Sequence, residues 1–542
     1  MSKGTSAATR ASPMDGEKSL QHSIIPIKWQ GTAADRHDMS VLGKKQVLRR
    51  QFRFWTMLGF ASTVMVAWEF CLLVSPFTLQ DGGTAGVFWG LIICPFVMVP
   101  MYASLAEVAS MSPTAGGQYH WVSELAPPRF QKGLSYAVGT DTRNINQHGS
   151  LHNAGWLIMM GWQTFLCGVS FVAASLILGL AVLNYPSYVI QPYHGTLLTI
   201  AIVAFCTFFN IFLAVRLPLV EALVLLLHVA GVFIVIIPLW VMAPRGNAHD
   251  TIMVFTNNGG WWDTGLASVI GMVPTIGLLI GYDCSVHLSE ETEDASLTIP
   301  QVVLAAVGTN AVMLLAVGIT YIFCLGDLDS VLGSATYQPV IQVLYNTTQS
   351  HAGTTVITLV IIIILLSACV GQVATASRQL WSFARDKGVP FSSWLEIVPE
   401  QWGIPLNAIL VSTVITSLLS LINLGSYAAF NAFNSLGTVS ILFSYTITTG
   451  CLIWRRLFGR PLPARRWSLG KWGLPLNIIS LCFTTPMLFF YTWPLSYPVT
   501  AANMNWSSTM FGSVLLIAAV YYFFKGRHEY HGPVTLVKRM DE

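Results

Sequence analysis

Twelve separate apolar runs, each long enough to cross a hydrocarbon core about 30 Å thick as a helix, leave this 542-residue chain one class of fold. They lie at 54–77, 86–110, 156–183, 195–215, 218–243, 266–289, 302–326, 353–384, 406–423, 427–454, 473–497 and 508–525. Lipid offers the backbone no hydrogen bonds, so runs of this kind must be helical. Composition agrees: 54% of residues are hydrophobic and 10% charged, where a soluble chain carries about 25% charged residues. The sequence therefore predicts an all-α integral membrane protein with twelve transmembrane helices. A net charge of +3 and no basic patch argue against nucleic acid as a partner. The nine cysteines all fall inside the apolar runs with no CxxC spacing, which reads as small hydrophobes and not as disulfides or metal ligands. The polar N-terminus lacks an apolar signal-peptide core, so no cleaved leader is expected.

Lys and Arg set the expected orientation. Ten precede residue 54, six occupy 455–471 and four follow residue 524, and the positive-inside rule places both termini and those loops in the cytoplasm. Two N-glycosylation sequons, at Asn346 and Asn505, fall in loops assigned to the other side. The N-tail, residues 1–50, is rich in Ser, Thr and Lys and is expected to be a disordered cytoplasmic segment. The transporter domain is expected over 51–525 and a cytoplasmic C-tail over 526–542.

Residues 268–300 carry the strongest functional signal. An apolar run ending at Gly281 is interrupted by Tyr282-Asp283-Cys284, and a carboxylate at that depth is costly unless paired or solvated. Unwound backbone survives at membrane depth only where it lines a protein cavity. Broken-helix termini can hold a carboxylate at one end and an ammonium at the other. Asp283 reads as a proton-loading group, as a cap on the second half-helix, or both. In helix one, Ala61, Ser62 and Thr63 read either as a break meeting the substrate or as close packing through small residues. Trp68 and Glu69 follow; Glu69 could sense a substrate amine or relay a proton. His228 in helix five is either a titrating group or a structural histidine. Glu107 and Glu221, near the inner ends of helices two and five, are expected in gate or loop ion pairs.

The motif SPTAGGQYHWV (112–122), with GGTAGVFWG (82–90), GYDCSVHLSEE (281–291), CLGDLD (324–329) and SRQLWSFARDKGVP (377–390), resembles the fungal amino acid/choline branch of the amino acid-polyamine-organocation transporters, which contains GABA and choline permeases. The resemblance runs from about residue 50 to 525. It implies two inverted five-helix repeats plus two added helices, with helices one and six broken and the substrate held between them. It also implies a proton-loading acid at Asp283, a cationic group on helix five in place of a sodium ion, and an inner gate at Gly116 and Gly117. Arg378 and Arg385 with Asp386 would supply the matching inner signature. One segment departs from the pattern: Thr140–Gly155 (TDTRNINQHGSLHNAG) interrupts helix three and is too polar for lipid. It is read as a retained intron or gene-model error, the alternative being an added entrance loop.

No metalloprotease, Walker or nucleophile-elbow motif occurs, so no enzyme and no cofactor is expected. The expected function is proton-coupled uptake of an amino acid or GABA across the plasma membrane. A choline or polyamine carrier is the alternative, with Trp68, Trp162, Tyr282 and Phe430 as walls of an aromatic cage. A non-transporting nutrient sensor is disfavoured by the short C-tail.

Overall fold

The computed structural model describes residues 26–127 and 154–530, apart from 426, 495, 502 and 527–529. Twelve helices are long and apolar enough to span a membrane: Phe54–Gln80, Gly83–Met111, Gly155–Asn184, Pro192–Phe212, Ala214–Met242, Thr264–His287, Ala295–Phe323, His351–Arg385, Leu406–Gly425, Ser435–Phe458, Gly470–Phe490 and Ser507–Lys525. They are called spans 1 to 12. The described residues contain no β-strand, only two isolated bridges. Hydropathy located every span. Span 7 starts at Ala295, seven residues before the apolar run, and span 11 stops at Phe490, whereas the helix that contains span 10 begins at Tyr427 as expected.

Span 7 packs along span 2, and spans 8 and 10 along span 3. Burial grades from the centre outward, from 78% of the apolar window in span 1 to 22% in span 12. Spans 4, 5, 9 and 12 turn large side chains such as Phe208, Leu226, Leu418 and Ile517 outward, as a lipid-facing shell requires.

The expectation of a disordered tail to residue 50 is corrected over its last part. Residues 33–41 form a helix with a capping box between Thr32 and Asp35, and the chain then runs across one end of the bundle. Asp35 accepts hydrogen bonds from the backbone N–H groups of Asp294 (2.8 Å) and Ala295 (2.9 Å), capping span 7. Arg50 pairs with Asp35 at 3.1 Å and donates to the carbonyls of Ser289 and Thr292 beyond span 6. A polar tail folds here because it satisfies helix ends that it meets only in three dimensions. The end of the bundle holding this segment is called proximal and the other distal. The interruption in helix three falls almost wholly outside the described residues, and the helix runs from Ala154.

Candidate functional site

Spans 1 and 6 are both broken. Span 6 is helical to Ile276, makes one 3-10 turn over Gly277–Leu279, and extends at Ile280. It turns at Gly281 with φ +106° and resumes as the short helix Cys284–His287. That φ is open to glycine and strained for other residues. A Cβ there would also lie 2.3 Å from the Met65 methyl. In span 1 the helices Phe54–Met65 and Ala67–Gln80 meet at Val66, whose φ of 41° is unusual for a β-branched residue. The break thus lies beyond the expected 61–63. Those residues are helical because Gly59 lets span 1 touch span 5: a Cβ on it would sit 2.7 Å from the Glu221 carbonyl oxygen. Thr63 donates to Glu221 and does not face the cavity.

The unwound backbone of span 6 is met by side chains far away in sequence. Tyr102 of span 2 accepts from the N–H groups of Gly281 (2.7 Å) and Tyr282 (3.2 Å). Asp283 is buried and accepts from Tyr445 of span 10 at one oxygen and from Gln118 (2.7 Å) at the other. His287 Nε2 lies 3.3 Å from that second oxygen, and its Nδ1 is 2.8 Å from the Ala115 carbonyl. Gly117 abuts the same imidazole.

A second buried cluster joins spans 1, 5 and 7. Asn310 donates its amide nitrogen to the Ala306 carbonyl, which turns its oxygen toward His228 Nε2 at 3.1 Å. This network assigns a hydrogen to Nε2. Nδ1 stands 2.7 Å from Glu69 Oε1, so the pair shares one proton, as acid and imidazole or as carboxylate and imidazolium. Both side chains are fully buried, and the second Glu69 oxygen has no partner. Trp68 lies against the imidazole, 5.8 Å between ring centres.

A cavity of about 390 Å³ lies between spans 1, 3, 6, 8 and 10 and reaches distal residues Gln80, Asn503 and Asn505. Phe70, Phe77, Phe165, Tyr491 and Trp493 line it, with Gln372, Ser435 and Thr438 as polar groups, and none of the lining side chains carries a formal charge. Met65 and Ile280 form its floor. Ala61, Ser62, Trp68, Gly281, Tyr282 and Asp283 lie outside the lining, beneath or behind that floor. Three buried oxygens close by have no partner: Ser62 Oγ, Tyr282 Oη and Gln372 Oε1. Phe430, one of the expected cage walls, has its side chain outside the described residues.

The proximal end is closed by ion pairs. Glu290 takes two hydrogen bonds from Arg385 (2.7 and 2.8 Å) and others from Thr114 and the Ala115 N–H. Burial alone would raise its carboxyl, but Arg385 and Lys44 overcome this and hold it at about 2. Lys44 bridges to Asp386 at 3.4 Å, and burial lowers its ammonium below the ordinary lysine value. Arg378 pairs with Glu291 at 2.7 Å. At the distal end, buried Asp81 accepts from the Gly259 N–H at 3.0 Å and pins the loop before span 6.

A family model for amino acid permeases matches residues 52–518. The chain belongs to the amino acid permease family. Curated relatives extend along most of it. A protein of Macrophomina phaseolina described as an amino acid/polyamine transporter is 28% identical over 83% of this chain and 97% of its own length. The choline transporter of Saccharomyces cerevisiae is 26% identical over 89% and 83%. Amino-acid permease 2 of Neurospora crassa is 24% identical over 98% and 94%. The permease is therefore an integral membrane transporter of an amino acid or amine, not an enzyme.

Within the permease, the structure brings together Glu69 with His228, and Asp283 with the residues flanking the glycine loop, directly at Gln118 and through His287 at Ala115 and Gly117. Glu107 makes the expected ion pairs, with Arg456 of span 10 and with Arg465, and also accepts from Ser468 and the Leu469 N–H, tying span 2 to span 10 and the segment after it; Glu221, expected in an ion pair as well, accepts from Thr63 instead. Asn505 donates its amide to the Tyr491 and Trp493 carbonyls, whereas Asn346 uses only its oxygen, toward Gln342. Sequence reasoning missed Tyr102, Gln118, His287, Glu290 and Tyr445. The run HLSEE (287–291) directly after the span 6 break was the available signal for two of them; the tyrosines gave none.

Asp81 gives the permease a measurable pH dependence. Burial pushes its carboxyl up to about 6, partly opposed by the Gly259 N–H. An acid with a raised folded value favours the folded state when protonated, so stability falls as pH rises from about 4 through about 6. Asp81→Asn should remove that slope; melting curves of the purified variant that still track pH across this window would contradict the assignment.

Proposed function

We propose that the permease is a proton-coupled uptake carrier for an amino acid, GABA or a related zwitterion in the plasma membrane. The observation that carries this reading is the buried Glu69–His228 pair with its single shared proton, set beside the break in span 1. An ionisable pair inside a bundle is costly and marks a proton or ion path. The cavity above Met65 and Ile280 is the access route from outside. Ala61, Ser62, Thr63, Trp68, Gly281, Tyr282 and Asp283 form the substrate site once that floor moves, with the unpartnered oxygens of Ser62, Tyr282 and Gln372 as its polar contacts. The ion-paired proximal end, with Gly116, Gly117, Glu290 and Arg378, is the inner gate. Lys and Arg crowd the proximal segments, which supports cytoplasmic termini, and Asn346 is the glycosylation site.

A choline or polyamine substrate is a second reading. The aromatic lining without formal charge favours it, since an organic cation is attracted to ring faces.

Uptake of labelled GABA, choline and an amino acid panel in a permease-deficient yeast tests both. Glu69→Gln removes the shared proton and keeps the shape. It should lower uphill accumulation by about tenfold or more while exchange of preloaded substrate continues. Accumulation equal to the parent with an unchanged pH profile would refute proton coupling at this pair.

A further inference from the structure

We propose that His287 is a second proton-holding residue of the transport cycle: it shares one proton with Asp283, fastening the inner half of span 6 to the loop at Ala115, and losing that proton unfastens the proximal closure. Its place in the cycle rests on the coupled-uptake reading; the shared proton itself does not.

A carbonyl can only accept, so Nδ1, 2.8 Å from the Ala115 oxygen, carries a hydrogen. Nε2 faces Asp283 at 3.3 Å, and a carboxylate opposite an imidazole lone pair is repulsive. One proton must therefore sit on Nε2 or on the acid. If it leaves to water, no donor remains between them. Asp283 keeps Tyr445 and Gln118, so the bond to His287 is the one that fails.

The surroundings single out this pair. Gln118 and Ala115 face it from the glycine loop, Trp162 from span 3 at 5.9 Å between rings, and Tyr445 and Tyr102 from spans 10 and 2. Cys284 shares its short helix. The first half of span 1 and the proximal half of span 7 carry no titratable side chain. The charges on the next turn, Glu290 and Glu291, are committed to Arg385, Lys44 and Arg378. His287 is thus the link in the closure whose bond requires an exchangeable proton, and it has 0% side-chain exposure behind that ionic layer.

The native Cys284, buried beside Asp283, reports on opening. Purified full-length permease is treated with a small methanethiosulfonate reagent and Cys284 modification is followed by mass spectrometry. His287→Asn places an amide donor where Nδ1 stood, keeping the Ala115 contact without a chargeable group. The ratio of parent to variant rates cancels the thiol's own pH dependence. That ratio should rise about tenfold between about pH 5 and pH 9, the scale expected when a buried hydrogen bond is lost. A ratio constant with pH overturns the proposal. If His287→Asn does not yield folded protein, His287→Gln is read the same way, because it also removes the exchangeable proton and leaves Asp283 beside Cys284 unchanged. Proton movement by the parent during uptake of labelled GABA, choline and amino acids is measured separately with a pH dye. Its absence would remove coupled uptake while leaving the labelling result to decide the His287–Asp283 proton.

Discussion

Leucine at Gly281 should abolish transport without removing the protein from the membrane. The backbone there turns at φ +106°, and a side chain in such a conformation costs about 1–3 kcal/mol. The new Cβ would also meet Met65 at 2.3 Å, with Trp162 behind it at 3.6 Å. Met65 is flexible and can yield to one carbon; it cannot yield to an isobutyl group inside a buried junction. Alanine should therefore leave a residue of activity and leucine none, at equal surface expression measured by biotinylation. Parent-like uptake by Gly281→Leu would show that the span 6 turn does not take part in transport.

Removing Glu290 should be the most damaging change at the proximal end. The carboxylate is completely buried between Arg385 and Lys44, and stripping one partner from a buried ion pair costs about 3–5 kcal/mol. Glu290→Ala should reach the surface poorly, and the purified fraction should melt earlier than the parent. Pairing it with Arg385→Ala should recover part of the loss, since the stranded cation is then gone. Strict additivity of the two would mean that they do not form a working pair. Its pH behaviour separates this layer from the proton-sharing pairs. A carboxyl held at about 2 contributes its full stabilisation above the unfolded value near 4.5 and loses it only as pH falls toward 2. The contribution of Glu290 is therefore constant above about pH 5.

Much of the architecture was legible because hydropathy and chain length alone dictate where a helix can cross lipid. Span 6 was legible too, since Gly281 and Asp283 violate the rule that governs their neighbours. The break in span 1 was displaced for a physical reason: small residues signal close approach as well as unwinding, and here Gly59 serves the contact with span 5 while the turn falls on Val66, whose chemistry opposes it. Glu69 and His228 were singled out separately, but their pairing depends on how spans 1 and 5 are packed and on Asn310, which one strand of sequence does not reveal. Tyr102 and Tyr445 look like any other tyrosines in apolar helices until the fold brings both hydroxyls to the span 6 break.

The proximal clasp bears on how such a chain is made. Asp35 and Arg50 find their partners at residues 289–295, 239 to 260 positions later. At a synthesis rate of about 5–20 residues per second, these side chains wait about 12–50 s before their binding site exists. A segment that leaves the ribosome before any of the twelve spans is thus among the last to settle, and its burial certifies that the middle helices have been inserted. A ribosome stalled before span 7 would leave the segment in water, open to any protease or ligase that inspects unfinished membrane proteins.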